Sequence, residues 1–214
     1  MDSADGTVVA LDHAMVRHHL SILRNSLTAP SAFRIHLRAL SAILAVEVTR
    51  NLPVEPVTVQ TPIEETTCHQ LSHRVAVVPV LRAGLGMVDP LVSLLPDLEV
   101  WHLGVYRDEE TAMPVHYYDK LPDSHPPQLA IIADPMLATG GSICMAADAL
   151  KRWGVPRIQV VSIIAAPEGI ARIQVDHPDV GILTCAIDRQ LNEKKYICPG
   201  LGDAGDRIFN TLPV

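Results

Sequence analysis

Asp134 stands shortly before a pair of glycines, a spacing that suits the binding of an anion. It follows the apolar segment Leu129 to Ala133, while Thr139-Gly140-Gly141-Ser142 opens a helical pattern of apolar residues. Glycines let backbone N–H groups approach a ligand closely, the hydroxyls add donors, and a helix N-terminus favours negative charge. The pattern predicts a phosphate-binding loop, although the glycines alone equally suit an ordinary helix start capped by Ser142.

The carboxylate of Asp134 favours the phosphate-binding interpretation. At the end of a strand it can accept hydrogen bonds from two adjacent ribose hydroxyls while the following loop holds a 5′-phosphate. We therefore expect this segment to bind a phosphorylated ribose.

Arg82 lies in a second segment with binding chemistry, VVPVLRAGLGMVDPL. It directly follows the apolar segment Val75 to Leu81, and together with the backbone of Ala83 and Gly84 it can bind a diphosphate. The triplet GLG lacks the third glycine of a dinucleotide-binding fingerprint, and a tight turn is the alternative interpretation.

Two further segments are polar and rich in turn-forming residues. The first, GVYRDEETAMPVHYYDKLP, follows the apolar segment Val100 to Tyr106. Its residues Arg107 to Lys120 predict a mobile loop over a site, with a solvated surface hairpin as the alternative. The second, Tyr196 to Arg207 (YICPGLGDAGDR), contains glycines and a proline that discourage regular structure. Its backbone groups are then free to bind a ligand, and a plain Gly-rich loop is the alternative.

A parallel sheet explains why these segments should lie together. Apolar residues three and four apart predict helices, and compact apolar runs separated by helical patterns predict buried strands. Ligands of such sheets bind beyond the carboxyl ends of the strands. Three polar segments follow predicted strand ends: Arg82 to Gly86, Arg107 to Lys120 and Asp134 to Ser142. The helices are predicted at Asp12 to Arg24 and Ala32 to Asn51, and the strands at Val75 to Leu81, Val100 to Tyr106, Leu129 to Ala133, Ile158 to Ala165 and Leu183 to Ile187.

The composition fits one folded domain over residues 1–214. Apolar residues make up 48% of the chain and charged residues 19%, which is enough for a large core. The net charge of -7 gives no general attraction for nucleic acid or anionic membranes. No apolar run reaches the roughly 18 residues of a membrane span. The cysteines are widely spaced without a CxxC pair, which predicts reduced thiols and a cytoplasmic protein.

The run DPMLATGGS resembles the motif that binds 5-phosphoribosyl-1-pyrophosphate (PRPP) in type I phosphoribosyltransferases, in the form found in uracil phosphoribosyltransferases. Most other members of the superfamily have a second acidic residue near the position of Pro135, whereas the uracil enzymes resemble one another in having proline there. The resemblance extends over nearly the whole chain to Phe209, with four motifs in the family's order. It implies a type I phosphoribosyltransferase-like α/β fold, a mostly parallel sheet flanked by helices, with a small C-terminal hood that binds the base.

The resemblance also implies which residues meet the substrates. Arg82 is expected at the pyrophosphate of PRPP, and Arg107 on a flexible loop that reaches PRPP. Asp203 is expected near PRPP, where it holds either the water shell of a metal or a group on the ribose side. Arg107 and Asp203 are the catalytic candidates. The PRPP contacts are implied at Arg82, Arg107, Asp134, Pro135, Met136, Leu137, Ala138, Thr139, Gly140, Gly141, Ser142 and Asp203, and the uracil contacts at Ile197, Gly202, Asp203 and Ala204.

The implied reaction joins uracil to PRPP and gives UMP and pyrophosphate. Mg²⁺ is expected to arrive with the diphosphate, because one carboxylate at the strand end offers no carboxylate pair for a dedicated metal site. The apolar excess and the resemblance favour a homo-oligomer, and GTP is an effector in some relatives and a candidate effector here. No element is assigned to residues 1–10 or to Glu55 to Arg74.

Other function classes fit the sequence less well. A hydrolase would need a GxSxG elbow or a cysteine in a nucleophile setting, and the sequence has neither. A nucleotide-sensing regulator of the same fold that binds RNA would need a basic face, which the acidic balance disfavours. A phosphoribosyltransferase for another base is disfavoured by the loop from Tyr196 to Arg207.

Overall fold

The structure of the chain, a computed structural model, describes residues 6–107, 114–119, 121–122 and 124–211, with the backbone alone at 104–107 and 114–119. The helices are α1 (Ala14–Arg24), α2 (Pro30–Thr49), α3 (Val88–Leu94), α4 (Gly141–Trp153), α5 (Pro167–Asp176) and α6 (Ala204–Phe209), with a 3-10 helix at Ala83–Met87. The strands are β1 (Val8–Ala10), β2 (Val54–Gln60), β3 (Glu65–Leu71), β4 (Val75–Pro79), β5 (Glu99–Val100), β6 (Leu103–Arg107), β7 (Pro114–Asp119), β8 (Leu129–Ala133), β9 (Met136–Leu137), β10 (Arg157–Ala165), β11 (Gly181–Ile187), β12 (Gln190–Leu191) and β13 (Ile197–Cys198).

The main sheet is parallel throughout. Its strands lie in the order β1-β11-β10-β8-β4-β5, and β9 pairs with the far end of β10. This confirms the predicted α/β fold with a mostly parallel sheet. The predicted strand Leu129 to Ala133 has the same ends as β8 in the structure. The ends of the other predicted strands, except Val100 to Tyr106, agree with the structure to within a few residues.

Helices cover both faces of the sheet. Leu129 and Ile131 of β8 pack on the side of α1, α2 and α3, whereas Ala130 and Ile132 pack on the side of α4 and α5. Successive residues of a strand point to opposite faces, so a strand covered on both sides must be apolar throughout. This is why β8 reads as an unbroken apolar run in the sequence.

The prediction of one strand from Val100 to Tyr106 is wrong. The structure divides this segment between β5, at the edge of the parallel sheet, and β6, which pairs antiparallel with β7. An apolar run indicates a paired or buried segment but does not identify its partner. The segment from Arg107 to Lys120 therefore follows a strand of a hairpin rather than of the parallel sheet, and its residues 108–113 and 120 lie outside the described residues. Strands β6 and β7 contact α4.

A second hairpin, β2 and β3, occupies most of the region to which the sequence assigned no element. The two strands pair antiparallel from Val54 opposite Leu71 to Gln60 opposite Glu65. Every residue of each strand except the central one is exposed, so neither face of the hairpin packs on the core.

Both predicted N-terminal helices are present as α1 and α2, with ends that agree to within two residues. All four cysteines are free thiols. Within the described ranges, no helix combines the length and the apolar character that crossing a membrane requires.

Candidate active site

The carboxyl ends of β4 and β8 form a topological switch point. After β4 the chain continues to β5 on one side, whereas after β8 it crosses through α4 to β10 on the other side. The loops that leave these neighbouring strands therefore diverge, and the crevice between them is where open parallel sheets bind ligands. Arg82 lies in the loop after β4, and Asp134 directly follows β8.

A cavity of about 520 Å³ opens at this crevice. Three segments line it: the loop after β4, the cradle, defined as residues 134–142, and the hood, defined as residues 188–209. The residues predicted from the sequence that line the cavity are Arg82, Asp134, Met136, Leu137, Ala138, Thr139, Gly140, Gly141, Ser142, Ile197 and Asp203.

Asp134 is fixed to the neighbouring strand β10. Its N–H donates to the Val161 carbonyl at 3.1 Å, and its carbonyl accepts from Ser162 Oγ at 2.5 Å. Burial raises the pKa of its carboxyl to about 7, against the opposing effect of a hydrogen bond from the Met136 N–H at 3.1 Å. Near neutral pH the carboxyl therefore exchanges a proton and can meet hydroxyl groups as acceptor or donor.

The cradle ends at an uncapped helix start. Gly140 has a left-handed φ of 76°, and a Cβ there would lie 2.9 Å from the Gly169 carbonyl oxygen, so a side chain would be strained. No side chain caps α4, and among the described residues no protein acceptor binds the N–H groups of Gly141 and Ser142. Ser142 is thus not a helix cap, and the open donors at the helix N-terminus suit a phosphate.

Arg82 extends from the other side of the crevice and is loosely held. It follows a cis peptide bond with Leu81. Its Nη2 lies 3.3 Å from Asp206 Oδ1 in the hood, and 59% of its side chain is exposed. Exposed ion pairs of this kind are weak, so the guanidinium can leave Asp206 for an anion in the cavity.

Asp203 has a structural role that the sequence did not reveal. Its Oδ1 accepts from the Asp206 N–H at 3.0 Å and caps the N-terminus of α6. Its other carboxylate oxygen has no hydrogen-bond partner within the described part of the chain. One side chain therefore both fixes the hood and presents a carboxylate oxygen at the cavity.

Three predicted site residues that are described in full, Pro135, Gly202 and Ala204, are not among the lining residues. Pro135 is buried, and its carbonyl accepts two N–H groups of β10 at 3.1 Å, which ties this residue to the sheet rather than to the cavity. Gly202 does not line the cavity, and the side chain of Ala204 is packed in the core. The side chain of Arg107 lies outside the described residues, although its backbone ends β6.

Other residues line the cavity without having been predicted, among them Lys195, Tyr196 and Gly205. Lys195 lies in the turn between β12 and β13, where its N–H donates to the Asn192 carbonyl at 2.9 Å. Its φ is 63°, a left-handed conformation that lysine rarely adopts. The short turn sequence before Tyr196 becomes informative only once the two flanking strands are known to pair.

Comparison of the sequence with known proteins points to one family. A family model described as uracil phosphoribosyltransferase matches residues 10–211. The chain is 50% identical over 204 residues to the uracil phosphoribosyltransferase of Roseiflexus sp.. The matched residues cover 95% of this chain and 98% of that protein. It is 48% identical over 207 residues to that of Streptococcus pneumoniae, with 96% and 99% covered. Among solved structures, the AQ2163 protein from Aquifex aeolicus is similar, with a TM-score of 0.90, 34% identity, and 95% and 98% of the two chains covered.

Proposed function

The chain belongs to the uracil phosphoribosyltransferase family, and from this membership we propose which of its residues carry the reaction. The reaction transfers the phosphoribosyl group of PRPP to uracil and yields UMP and diphosphate. The observation that most supports the assignment is that the cradle, the loop of Arg82 and the hood line a single cavity. A ribose phosphate, a diphosphate and a base can therefore each meet a different segment.

The cradle binds the ribose 5′-phosphate of PRPP. The open N–H groups at the start of α4 and the hydroxyls of Thr139 and Ser142 supply donors, and the helix dipole favours the negative charge. Asp134 binds the adjacent ribose hydroxyls. Because Asp134 is hydrogen-bonded to β10, it holds the ribose in one orientation, and orientation contributes much of the rate of such a displacement.

The two arginines stabilise the departing diphosphate. The anomeric carbon becomes oxocarbenium-like in the transition state while negative charge builds on the diphosphate. Arg82 donates to the diphosphate after leaving Asp206, and Arg107 joins it from the end of β6. Fixed donors aimed at developing charge lower the barrier most when water is excluded. Asp203 offers its unpaired oxygen to a ribose-side group or to the water shell of the metal.

Mg²⁺ is the proposed cofactor, and it enters bound to PRPP. Among the described residues no group of three or more His, Cys, Asp or Glu could hold a metal ion. The cavity nevertheless presents the carboxylates of Asp134 and Asp203, the hard oxygen donors that Mg²⁺ prefers. An ion held there with the substrate would neutralise part of the diphosphate charge.

Uracil is read by the backbone of the hood at Ile197 and at residues 202–204. Strand β13 ends at Cys198, and Gly202 and Asp203, just before α6, have no regular structure, so their N–H groups are not committed to a sheet or a helix. Uracil presents an N3–H between two carbonyls, a pattern that backbone N–H and C=O groups can complement. Ile197 and Asp203 line the cavity, and Tyr196 lies beside them.

The decisive test is incubation of the protein with PRPP, Mg²⁺ and each nucleobase in turn, with identification of the products. We expect UMP and diphosphate from uracil and no product when PRPP is omitted. Faster formation of a nucleotide from any other natural base would contradict the assignment of the hood.

We also propose that the protein acts as a homo-oligomer. The β2–β3 hairpin supports this, because two strands without a covered face are not stable alone in water. Apolar side chains on and beside it, including Val54, Ile63 and Leu71, are exposed and would be covered by a second copy. Sedimentation equilibrium should give a mass at least twice the 23.3 kDa of one chain, and a monomer at micromolar concentration would refute the proposal.

The remaining elements of the proposal are a single domain, a cytoplasmic location and GTP as an effector. The continuous main sheet, whose strands run from β1 to β11, supports the single domain. The effector rests on the resemblance to relatives, and initial rates at low PRPP with and without GTP test it directly. Equal rates would remove GTP from the proposal.

A further inference from the structure

Two arginines outside the cavity hold the backbone of the hood. Arg24, the last residue of α1, donates from Nη1 to the Gly200 carbonyl at 2.9 Å. Arg207 of α6 donates from Nη1 to the Leu201 carbonyl at 2.7 Å. Neither arginine is among the described residues that line the cavity. The successive carbonyls of Gly200 and Leu201 are therefore held by side chains that do not line the cavity.

Arg24 forms a largely buried ion pair with Asp188. Its Nη1 and Nη2 lie 2.8 and 2.5 Å from the two carboxylate oxygens, and the side chains are 25% and 4% exposed. Two parallel bonds fix the pair in one geometry. The Asp188 N–H donates to the carbonyl of Ala165, the last residue of β10, at 2.8 Å. The pair thus joins α1 to the end of the main sheet.

Gly200 is bound through both of its backbone polar groups. Arg24 Nη1 donates a hydrogen bond to its carbonyl, and Asp188 Oδ2 accepts one from its N–H at 2.9 Å. Its φ is 67°, and a Cβ there would lie only 2.1 Å from the Ile197 carbonyl oxygen. Gly200 therefore packs directly against the carbonyl of Ile197, a residue that lines the cavity. A shift of Gly200 is therefore expected to move the backbone of Ile197 as well.

We propose that Arg24 and Asp188 are positioning residues for uracil, which set the hood backbone that reads the base without touching the substrate. The inference rests on the proposed contacts of uracil with Ile197 and residues 202–204. Gly200 lies between these contacts along the chain, so a shift there moves both sides of the base site. Hydrogen bonds weaken steeply with poor distance and angle, which makes base recognition sensitive to small shifts.

The test is Arg24→Lys, which keeps the positive charge. A single ammonium group cannot reproduce the planar fork that binds both oxygens of Asp188 and the Gly200 carbonyl. We expect the KM for uracil to rise about tenfold and the preference for uracil over cytosine to fall several-fold. The KM for PRPP should stay within about twofold, because the cradle is held by β10 instead. Asp188→Asn keeps an oxygen for the Gly200 N–H and should give a smaller rise in the KM for uracil.

Two matched controls separate positioning from loss of stability. Arg74 also binds a carboxylate through two nitrogens, with Nε and Nη2 at 2.9 and 2.5 Å from Glu99 Oε1, at the opposite end of the sheet. Arg74→Lys should leave both KM values unchanged. Val75→Ala removes buried apolar contact at that same end and supplies a variant with a reduced Tm.

The outcomes distinguish this inference from the proposed function. If the wild-type protein makes UMP from uracil while folded Arg24→Lys keeps its KM for uracil and its base preference, the positioning role is refuted alone. Equal rises in both KM values, matching those of Val75→Ala at the same loss of Tm, would also refute it. If the wild-type protein makes no UMP from uracil, the proposed function fails and this inference fails with it. Calorimetric titration with PRPP alone then shows whether the cradle still binds its ligand.

Discussion

The cradle and the hood line the same cavity but are held in different ways. The cradle is one short run that hydrogen-bonds to the adjacent strand, through Asp134 and Pro135 to β10. The hood depends on a side chain far away in the sequence, since Arg24 binds the carbonyl of Gly200, 176 positions later. The part of the site proposed to bind PRPP is therefore specified locally, whereas the part proposed to read the base depends on the completed fold.

The largest expected effect tests whether the hood reads the base through its backbone. Cytosine presents an amino donor at position 4 and a bare acceptor at N3, so two contacts arranged for uracil would be mismatched. Each unpaired buried polar group costs about 1 to 3 kcal/mol, which predicts a preference for uracil of roughly two to four orders of magnitude. 5-Fluorouracil keeps the donor and acceptor pattern and should be accepted. The measurement is kcat/KM for the three bases at saturating PRPP and Mg²⁺, and similar values for uracil and cytosine would exclude backbone reading.

The next effect concerns the cradle, through Asp134→Asn. The substitution keeps the shape but removes the charge proposed to bind the ribose hydroxyls, a contact worth roughly 1.5 to 3 kcal/mol. The kcat/KM for PRPP should fall roughly 10- to 150-fold, while the preference for uracil over cytosine stays as in the wild type. Unchanged kinetics with PRPP in a folded variant would remove Asp134 from the site.

The same substitution should stabilise the ligand-free protein at alkaline pH. The pKa of Asp134 is raised by burial from 3.8 to about 7, so the folded state binds this proton more tightly than the unfolded chain does. The stability that the proton provides is complete below pH 3.8 and is lost as the pH rises through about 7. The gain in unfolding free energy of Asp134→Asn over the wild type should therefore grow by roughly 2 kcal/mol between pH 5 and pH 8. Urea denaturation at both pH values measures it, and a constant difference would mean that the carboxyl titrates normally.

Arg82 and Arg107, the two cations proposed to bind the diphosphate, allow a further test of the site. Arg82→Ala should weaken PRPP binding and lower turnover, each by about tenfold, because its backbone follows the end of β4. Arg107→Ala should lower kcat with little change in Tm, as expected for a side chain that engages only during the reaction. Steady-state kinetics and thermal melts of both variants are the measurements. Unfolding of Arg107→Ala together with a silent Arg82→Ala would reverse the assignment.

More of the structure of the cradle than of the hood could be predicted from the sequence alone. Strand β8 and the start of α4 follow from an unbroken apolar run, a glycine pair and apolar periodicity, all of which are local patterns. The pairing of Arg24 with Asp188 leaves no such pattern, because its partners are 164 positions apart. The same limit explains the β5–β6 division and the β2–β3 hairpin, where the identity of the pairing partner, not the apolar pattern, decides the structure.

Two residues that line the cavity have a left-handed backbone conformation, Gly140 in the cradle and Lys195 in the hood. The smallest expected effect concerns Lys195, which unlike Gly140 has a side chain. The left-handed conformation costs a non-glycine residue about 1 kcal/mol, and glycine's greater freedom in the unfolded chain offsets part of any relief. Lys195→Gly should therefore leave the Tm unchanged or slightly raised. Loss of an exposed cation beside the cavity should raise the KM for PRPP about two- to threefold.

Lys194→Gly is the matched control for that comparison, because Lys194 is in the same turn but has no positive φ and does not line the cavity. It should lower the Tm, since glycine there adds unfolded-state entropy and relieves no strain, and it should leave the KM for PRPP unchanged. If Lys195→Gly lowers the Tm as much as Lys194→Gly does, the hood holds no backbone strain at this turn. If the KM for PRPP is the same in both variants, the charge of Lys195 does not act on PRPP, and PRPP binding then relies on the cradle and the two arginines.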